Sequence, residues 1–73
     1  LIAFTRFGQG RFGIALIRPD GSGERMITNG YQDEGATWSP DGRVIMFFRS
    51  GRGGPPALWS VDLSGQNERR LPT

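Results

Sequence analysis

The stretch Leu1-Ile2-Ala3-Phe4-Thr5-Arg6 returns 43 residues later as Val44-Ile45-Met46-Phe47-Phe48-Arg49, and the residues after each copy repeat as well. A glycine-rich loop comes next. The first copy then continues Ile14-Ala15-Leu16-Ile17-Arg18-Pro19-Asp20-Gly21-Ser22-Gly23-Glu24-Arg25-Met26-Ile27-Thr28, matched by the run from Leu58 to Pro72, where Gly21 and Gly65 stand 44 residues apart. A unit of that length is the size of a four-stranded propeller blade, roughly 40 to 45 residues.

Short runs rich in Val, Ile, Phe and Trp, bounded by clusters of Gly, Pro, Asp and Ser, predict an all-β chain of seven strands. They are Ile2 to Arg6, Ile14 to Arg18, Arg25 to Thr28, Ala36 to Ser39, Val44 to Arg49, Leu58 to Leu63 and Glu68 to Leu71. In Ser39-Pro40-Asp41-Gly42 the proline presets φ for the first turn position and Gly42 tolerates a positive φ, so the fourth strand folds back on the fifth. Asp20-Gly21-Ser22-Gly23 and Ser64-Gly65-Gln66-Asn67 close the equivalent hairpin later in each unit.

The fifth strand is apolar on both faces, Val44, Met46 and Phe48 on one and Ile45 and Phe47 on the other, which predicts a sheet covered on both sides. Stacked blades do this. A sandwich core strand is the alternative, but it leaves the repeat period unexplained. Residues 1-28 make a blade without its inner strand and 36-73 a complete one, a partial β-propeller of about one and two-thirds four-stranded antiparallel blades, where closed propellers have about 4 to 8. The run opens in mid-strand without methionine and reads as a piece of a longer chain. Alone, its open edges predict association or aggregation.

Composition narrows the chemistry. Of 73 residues, 36% are hydrophobic, and none is cysteine or histidine, so disulfide scaffolds, the usual zinc sets and Ser-His-Asp or Cys-His catalysis have no side chains to use. No apolar run approaches the roughly 20 residues of a membrane-spanning helix, and membrane insertion is not expected. The nine basic residues are all arginine, they are scattered among acids, and net charge is only +2, which argues against nucleic acid as a partner. Gly8-Gln9-Gly10-Arg11-Phe12-Gly13 fits G-x-G-x-x-G, but Pro19 ends the following run too soon for a helix and the chain has no lysine, so a plain flexible hairpin loop is expected. No cofactor is called for.

Two aromatics and one acidic pair remain. Trp38 and Trp59 lie within strands and are expected in the core rather than stacked on a ligand. Asp33-Glu34 is the adjacent acidic pair, but neighbours in an extended chain point to opposite sides, so a shared proton is not expected. The pair is either a solvated connector or a contact site. In a propeller, the inter-blade connectors and the loops between second and third strands emerge on one face. Tyr31, Gln32, Asp33 and Glu34 should therefore share a rim with Arg11, Phe12 and Arg52, the mixture of aromatics and arginine that anchors protein interfaces.

The tract Ala36-Thr37-Trp38-Ser39-Pro40-Asp41-Gly42-Arg43-Val44-Ile45-Met46-Phe47, continued by Leu58-Trp59-Ser60-Val61-Asp62-Leu63-Ser64-Gly65 and Arg70-Leu71, resembles the PD40, or WD40-like, repeat of the TolB family. Ile17 to Arg25 looks like the same repeat. The resemblance implies a non-enzymatic periplasmic propeller of the Tol-Pal system of Gram-negative bacteria, one that binds the peptidoglycan-associated lipoprotein and supports the outer membrane, notably during division. It further implies, outside these residues, an N-terminal α/β domain and an N-terminal segment that engages TolA. On this reading, losing both Asp33 and Glu34 weakens lipoprotein binding without lowering the melting temperature. The Trp38-Ser39-Pro40-Asp41-Gly42 signature is also shared with propellers attached to prolyl-oligopeptidase-type serine peptidases, which leaves an accessory propeller of such an enzyme as the alternative. A ring of several copies is a third reading, disfavoured because seven strands are not a whole number of blades.

Overall fold

A computed structural model describes residues 1–51 and 55–72, and these form seven strands with no helix among them. They are β1 (Ile2–Gly8), β2 (Arg11–Ile17), β3 (Arg25–Met26), β4 (Asp33–Trp38), β5 (Val44–Arg49), β6 (Ala57–Asp62) and β7 (Arg69–Arg70). Two antiparallel meanders result, a three-stranded sheet ordered β1-β2-β3 and a four-stranded sheet ordered β4-β5-β6-β7. This is the architecture of a partial β-propeller.

The sequence repeat is a repeat of hydrogen bonds. Arg18 N donates to the Ser22 carbonyl at 3.0 Å and Gly21 N to the Arg18 carbonyl at 2.9 Å; 44 residues on, Asp62 N donates to Gln66 at 2.9 Å and Gly65 N to Asp62 at 2.9 Å. Gly21 and Gly65 hold φ of 89° and 84°, values open to glycine at no steric cost. The Ser39–Val44 turn is tied by its own side chains. Ser39 Oγ donates to Asp41 Oδ1 at 2.7 Å and accepts from Val44 N at 3.2 Å, and the Arg43 amide donates to Asp41 Oδ1 at 3.1 Å. The Ser39 hydroxyl and the Arg43 amide hold the Asp41 carboxyl below its ordinary value.

Two sequence expectations change. The glycine-rich segment is no flexible loop: β1 and β2 run on until Gly8 faces Arg11, leaving a two-residue turn at Gln9 and Gly10 with φ of 53° and 77°. Positive φ at both central positions defines the hairpin turn whose twist matches that of the strands. Phe7 and Phe12, opposite each other with ring centroids 4.7 Å apart, carry the ladder to this end. The second change is at β4, which begins at Asp33 rather than Ala36. Gly35, at φ 68°, sits in a register shift between Glu34 and Thr37, and this bulge lets the strand extend back through the acidic pair.

Ile14, Leu16 and Ile27 from the first sheet pack with Ile45, Phe47 and Val61 from the second, flanked by half-buried Trp38 and Trp59. Each fully buried aliphatic or Phe side chain contributes about 1.5–3 kcal/mol of transfer free energy, so this shared core holds the two sheets together. Only one face of β5 is covered in this way. On the other face Val44 and Met46 are half-buried and Phe48 is 51% exposed, so the expected two-sided cover is half realised.

Candidate rim site

The inter-sheet connector from Asn29 to Gln32 is strapped to both sheets by its backbone. Phe12 N donates to the Tyr31 carbonyl at 2.8 Å, and Ser50 N donates to the Gln32 carbonyl at 3.0 Å. Between the strap and the two strand ends lies a cleft of about 720 Å³, lined chiefly by Phe12, Tyr31, Gln32, Arg49, Ser50 and Gly51. Tyr31 stands at its lip, 75% exposed, and Phe7, packed on Phe12, is 64% exposed.

Beneath the strap, Arg49 gathers the sheet. Its Nε and Nη2 donate to the two Asp33 carboxylate oxygens at 2.8 and 3.1 Å, and its Nη1 lies 2.9 Å from Glu68 Oε1. The guanidinium carbon sits 4.5 Å from the Trp59 ring centroid and 5.3 Å from that of Phe47. Asp33 and Glu68 also accept the amides of Gly30 and Asn29, at 3.0 and 3.1 Å. One cationic side chain on β5 thus joins β4, β6 and the residue that leads into β7 to the connector. The Asp33 hydrogen bonds, with Glu68 in support, raise the affinity of the guanidinium for its proton above the ordinary arginine value despite partial burial. A methyl group at Gly30 would overlap the Asp33 carboxylate and the Arg49 guanidinium, so only glycine fits this bend.

The structure brings Phe12, Tyr31 and Gln32 into one cleft, with half-buried Arg11 beside them at the start of β2. It takes Asp33 away. With 0% of its surface exposed, Asp33 is neither a solvated connector residue nor available to a partner, and it acts as an internal support for the rim. Glu34 is exposed on β4 outside the cleft lining, so the two carboxylates do point to opposite sides. Arg52 lies outside the described residues. Sequence reasoning missed Arg49 and Glu68, although a signal existed: Arg6 and Glu24 occupy the matching positions of the first unit and form the matching ion pair at 2.8 Å. Among the described residues no group of three potential ligands could hold a metal ion, and no helix is long and apolar enough to cross a membrane.

The chain is similar over nearly its whole length to several curated proteins named Tol-Pal system protein TolB. Identity is 61% over 71 residues with that of Rhizorhabdus wittichii, covering 96% of the chain and 16% of the relative. It is 60% over 71 residues with that of Zymomonas mobilis, covering 96% and 15%, and 47% over 77 residues with that of Gluconobacter oxydans, covering 97% and 17%. The chain therefore spans about one-sixth of the length of these relatives. No family model matches it, and no solved structure matches it significantly.

Proposed function

Starting from the chain's homology to one stretch of the TolB proteins of the Tol-Pal system, we propose that it is a protein-binding part of a periplasmic β-propeller, with residues 1-28 an incomplete blade and 36-73 a complete one. Its partner is the peptidoglycan-associated lipoprotein, its role is support of the outer membrane and of division, and it carries out no catalysis itself. A TolA-binding segment belongs to the longer protein. The observation that carries this reading is the identity of 61% across 71 residues, which leaves little of the chain unaccounted for.

The rim supports binding in place of chemistry. Its side chains are those of an interface anchor, an exposed Tyr31 beside Phe12 and Arg11 over a rigid strap. Its one strong cation, Arg49, is already held by two carboxylates and is in no position to act as a free acid, base or anion clamp. We place the contact surface at Arg11, Phe12, Tyr31, Gln32 and Glu34. Isothermal titration of the full-length protein with the soluble domain of the lipoprotein tests the partner. Saturable 1:1 binding is expected, and no heat and no complex at any workable concentration would overturn it.

A further inference from the structure

The connector carries a reactive pair of residues above the ion cluster. Asn29 is exposed at its start and is followed by Gly30, whose missing side chain leaves the backbone nitrogen unobstructed as a nucleophile toward the Asn29 carboxamide. Glycine is obligatory there, since a Cβ at position 30 would overlap the Asp33 carboxylate and the Arg49 guanidinium. The cluster that holds the rim therefore demands the neighbour that makes an asparagine most prone to deamidation.

The same cluster restrains the reaction. Both amides that flank the reacting atoms are tied down, Asn29 N to Glu68 Oε2 at 3.1 Å and Gly30 N to Asp33 Oδ2 at 3.0 Å. Cyclisation needs the Gly30 nitrogen stripped of its proton and turned toward Asn29 Cγ, and both changes break its bond to Asp33. With 0% of its surface exposed, Asp33 would be left a buried carboxylate short of a donor. Nor is that carboxylate a ready base for the proton, because Arg49 donates to both of its oxygens. Asn29 is open to water while its nucleophile is held, so the strap must open before the chemistry begins.

We propose that Asn29-Gly30 is a deamidation site whose rate is set by opening of the cluster of Asp33, Arg49 and Glu68. In the opened strap the deprotonated Gly30 nitrogen bonds to Asn29 Cγ, the Cγ–Nδ2 bond breaks, and ammonia leaves with the proton the amide gave up. Water then cleaves the cyclic imide, at Cγ to give aspartate or at the main-chain carbonyl to give isoaspartate. Either product adds a negative charge to a connector already held by two carboxylates, and isoaspartate inserts a methylene into the main chain between the two tethered amides. The strap then no longer fits its anchors. The inference rests on the cluster alone and stands whether or not the rim binds the lipoprotein.

Incubating the full-length protein at neutral pH and mapping its tryptic peptides tests the proposal. Cleavage after Arg25 and Arg43 isolates residues 26–43, in which Asn29 is the only asparagine. The folded protein should deamidate there at least about tenfold more slowly than the free peptide of residues 26–43. Asp33→Asn and Glu68→Gln, each checked for a retained melting transition, should raise the rate severalfold. Ile45→Val, a core change away from the cluster, should destabilise the fold yet leave the rate unchanged. Equal rates in protein and peptide, unchanged rates in both cluster variants, or an Ile45→Val rate raised as much as theirs would overturn the local gate. A slower Asp33→Asn variant would make Asp33 the base instead of the restraint, and a free peptide that stays intact would remove the site itself.

Discussion

At the scale of single residues, Asp33 and Arg49 decide how the rim is held. Burying a carboxylate is costly unless it is paired, and Asp33 accepts three hydrogen bonds with no exposed surface. Asp33→Ala would leave Arg49 with Glu68 alone beneath the strap. In the full-length protein we expect a loss of about 3 kcal/mol in chemical denaturation, the size expected when one partner of a buried pair is removed. An unchanged midpoint would contradict the buried geometry. This reverses the sequence-level expectation that removing Asp33 and Glu34 leaves stability intact. Glu34→Ala alone, on the exposed side of β4, should leave the midpoint unchanged. Arg49→Lys keeps the charge but loses the fork that serves two oxygens at once, and it should destabilise as well.

At the scale of elements, the hairpins carry the repeat. The β1–β2 turn places a glutamine at φ 53°, where asparagine is the better occupant, so Gln9→Asn should stabilise by about 0.5 kcal/mol and Gly10→Ala should destabilise by about 1 kcal/mol. Thermal melts of the two variants separate these signs. The Ser39–Val44 turn adds a pH dependence. Because Asp41 titrates below its ordinary 3.8 in the folded state, its contribution is complete above that value and is lost as pH falls through the lowered one. Asp41→Ala should therefore cost more stability at pH 7 than at pH 2.5, and an equal cost at both would contradict the hydrogen bonds drawn to its carboxylate.

These elements also mark how far the sequence could be read. All seven strands, their order and the Pro-Asp-Gly turn were legible because strand composition and turn chemistry are local. Asp33 was not legible. Asn29-Gly30-Tyr31-Gln32-Asp33-Glu34-Gly35 has the composition of a loop, and only the left-handed Gly35 and a partner 16 residues away turn its second half into a strand. The two-residue turn was hidden for a similar reason, since Gln9-Gly10 lacks the usual Asn-Gly signature and the Phe7–Phe12 contact that extends the ladder is a property of the pair. The rim cleft was half legible. The repeat placed Phe12 and Tyr31 on one face, but the arginine beneath them became visible only once the start of β4 and the approach to β7 were seen to converge on the end of β5.

At the scale of the whole molecule, two small sheets share one core and leave the outer face of β5 and the far edge of β1 uncovered. The first is a face that a neighbouring blade of a propeller would cover and the second an edge that the inner strand of an incomplete blade would pair with, in keeping with a chain that spans about one-sixth of its TolB relatives. The connector with Tyr31 is anchored from below by Arg49 and from the sides by β2 and the end of β5, so a partner binding at the proposed rim would meet a surface that needs no prior ordering. The most direct test of this account is the affinity of the full-length protein and its Tyr31→Ala variant for the lipoprotein's soluble domain, with Arg43→Ala, at the opposite end of the β4–β5 hairpin, as control. We expect Tyr31→Ala to weaken binding about tenfold or more at unchanged Tm while Arg43→Ala binds as before. Equal affinity of the Tyr31 variant and the parent would contradict the rim as the binding surface.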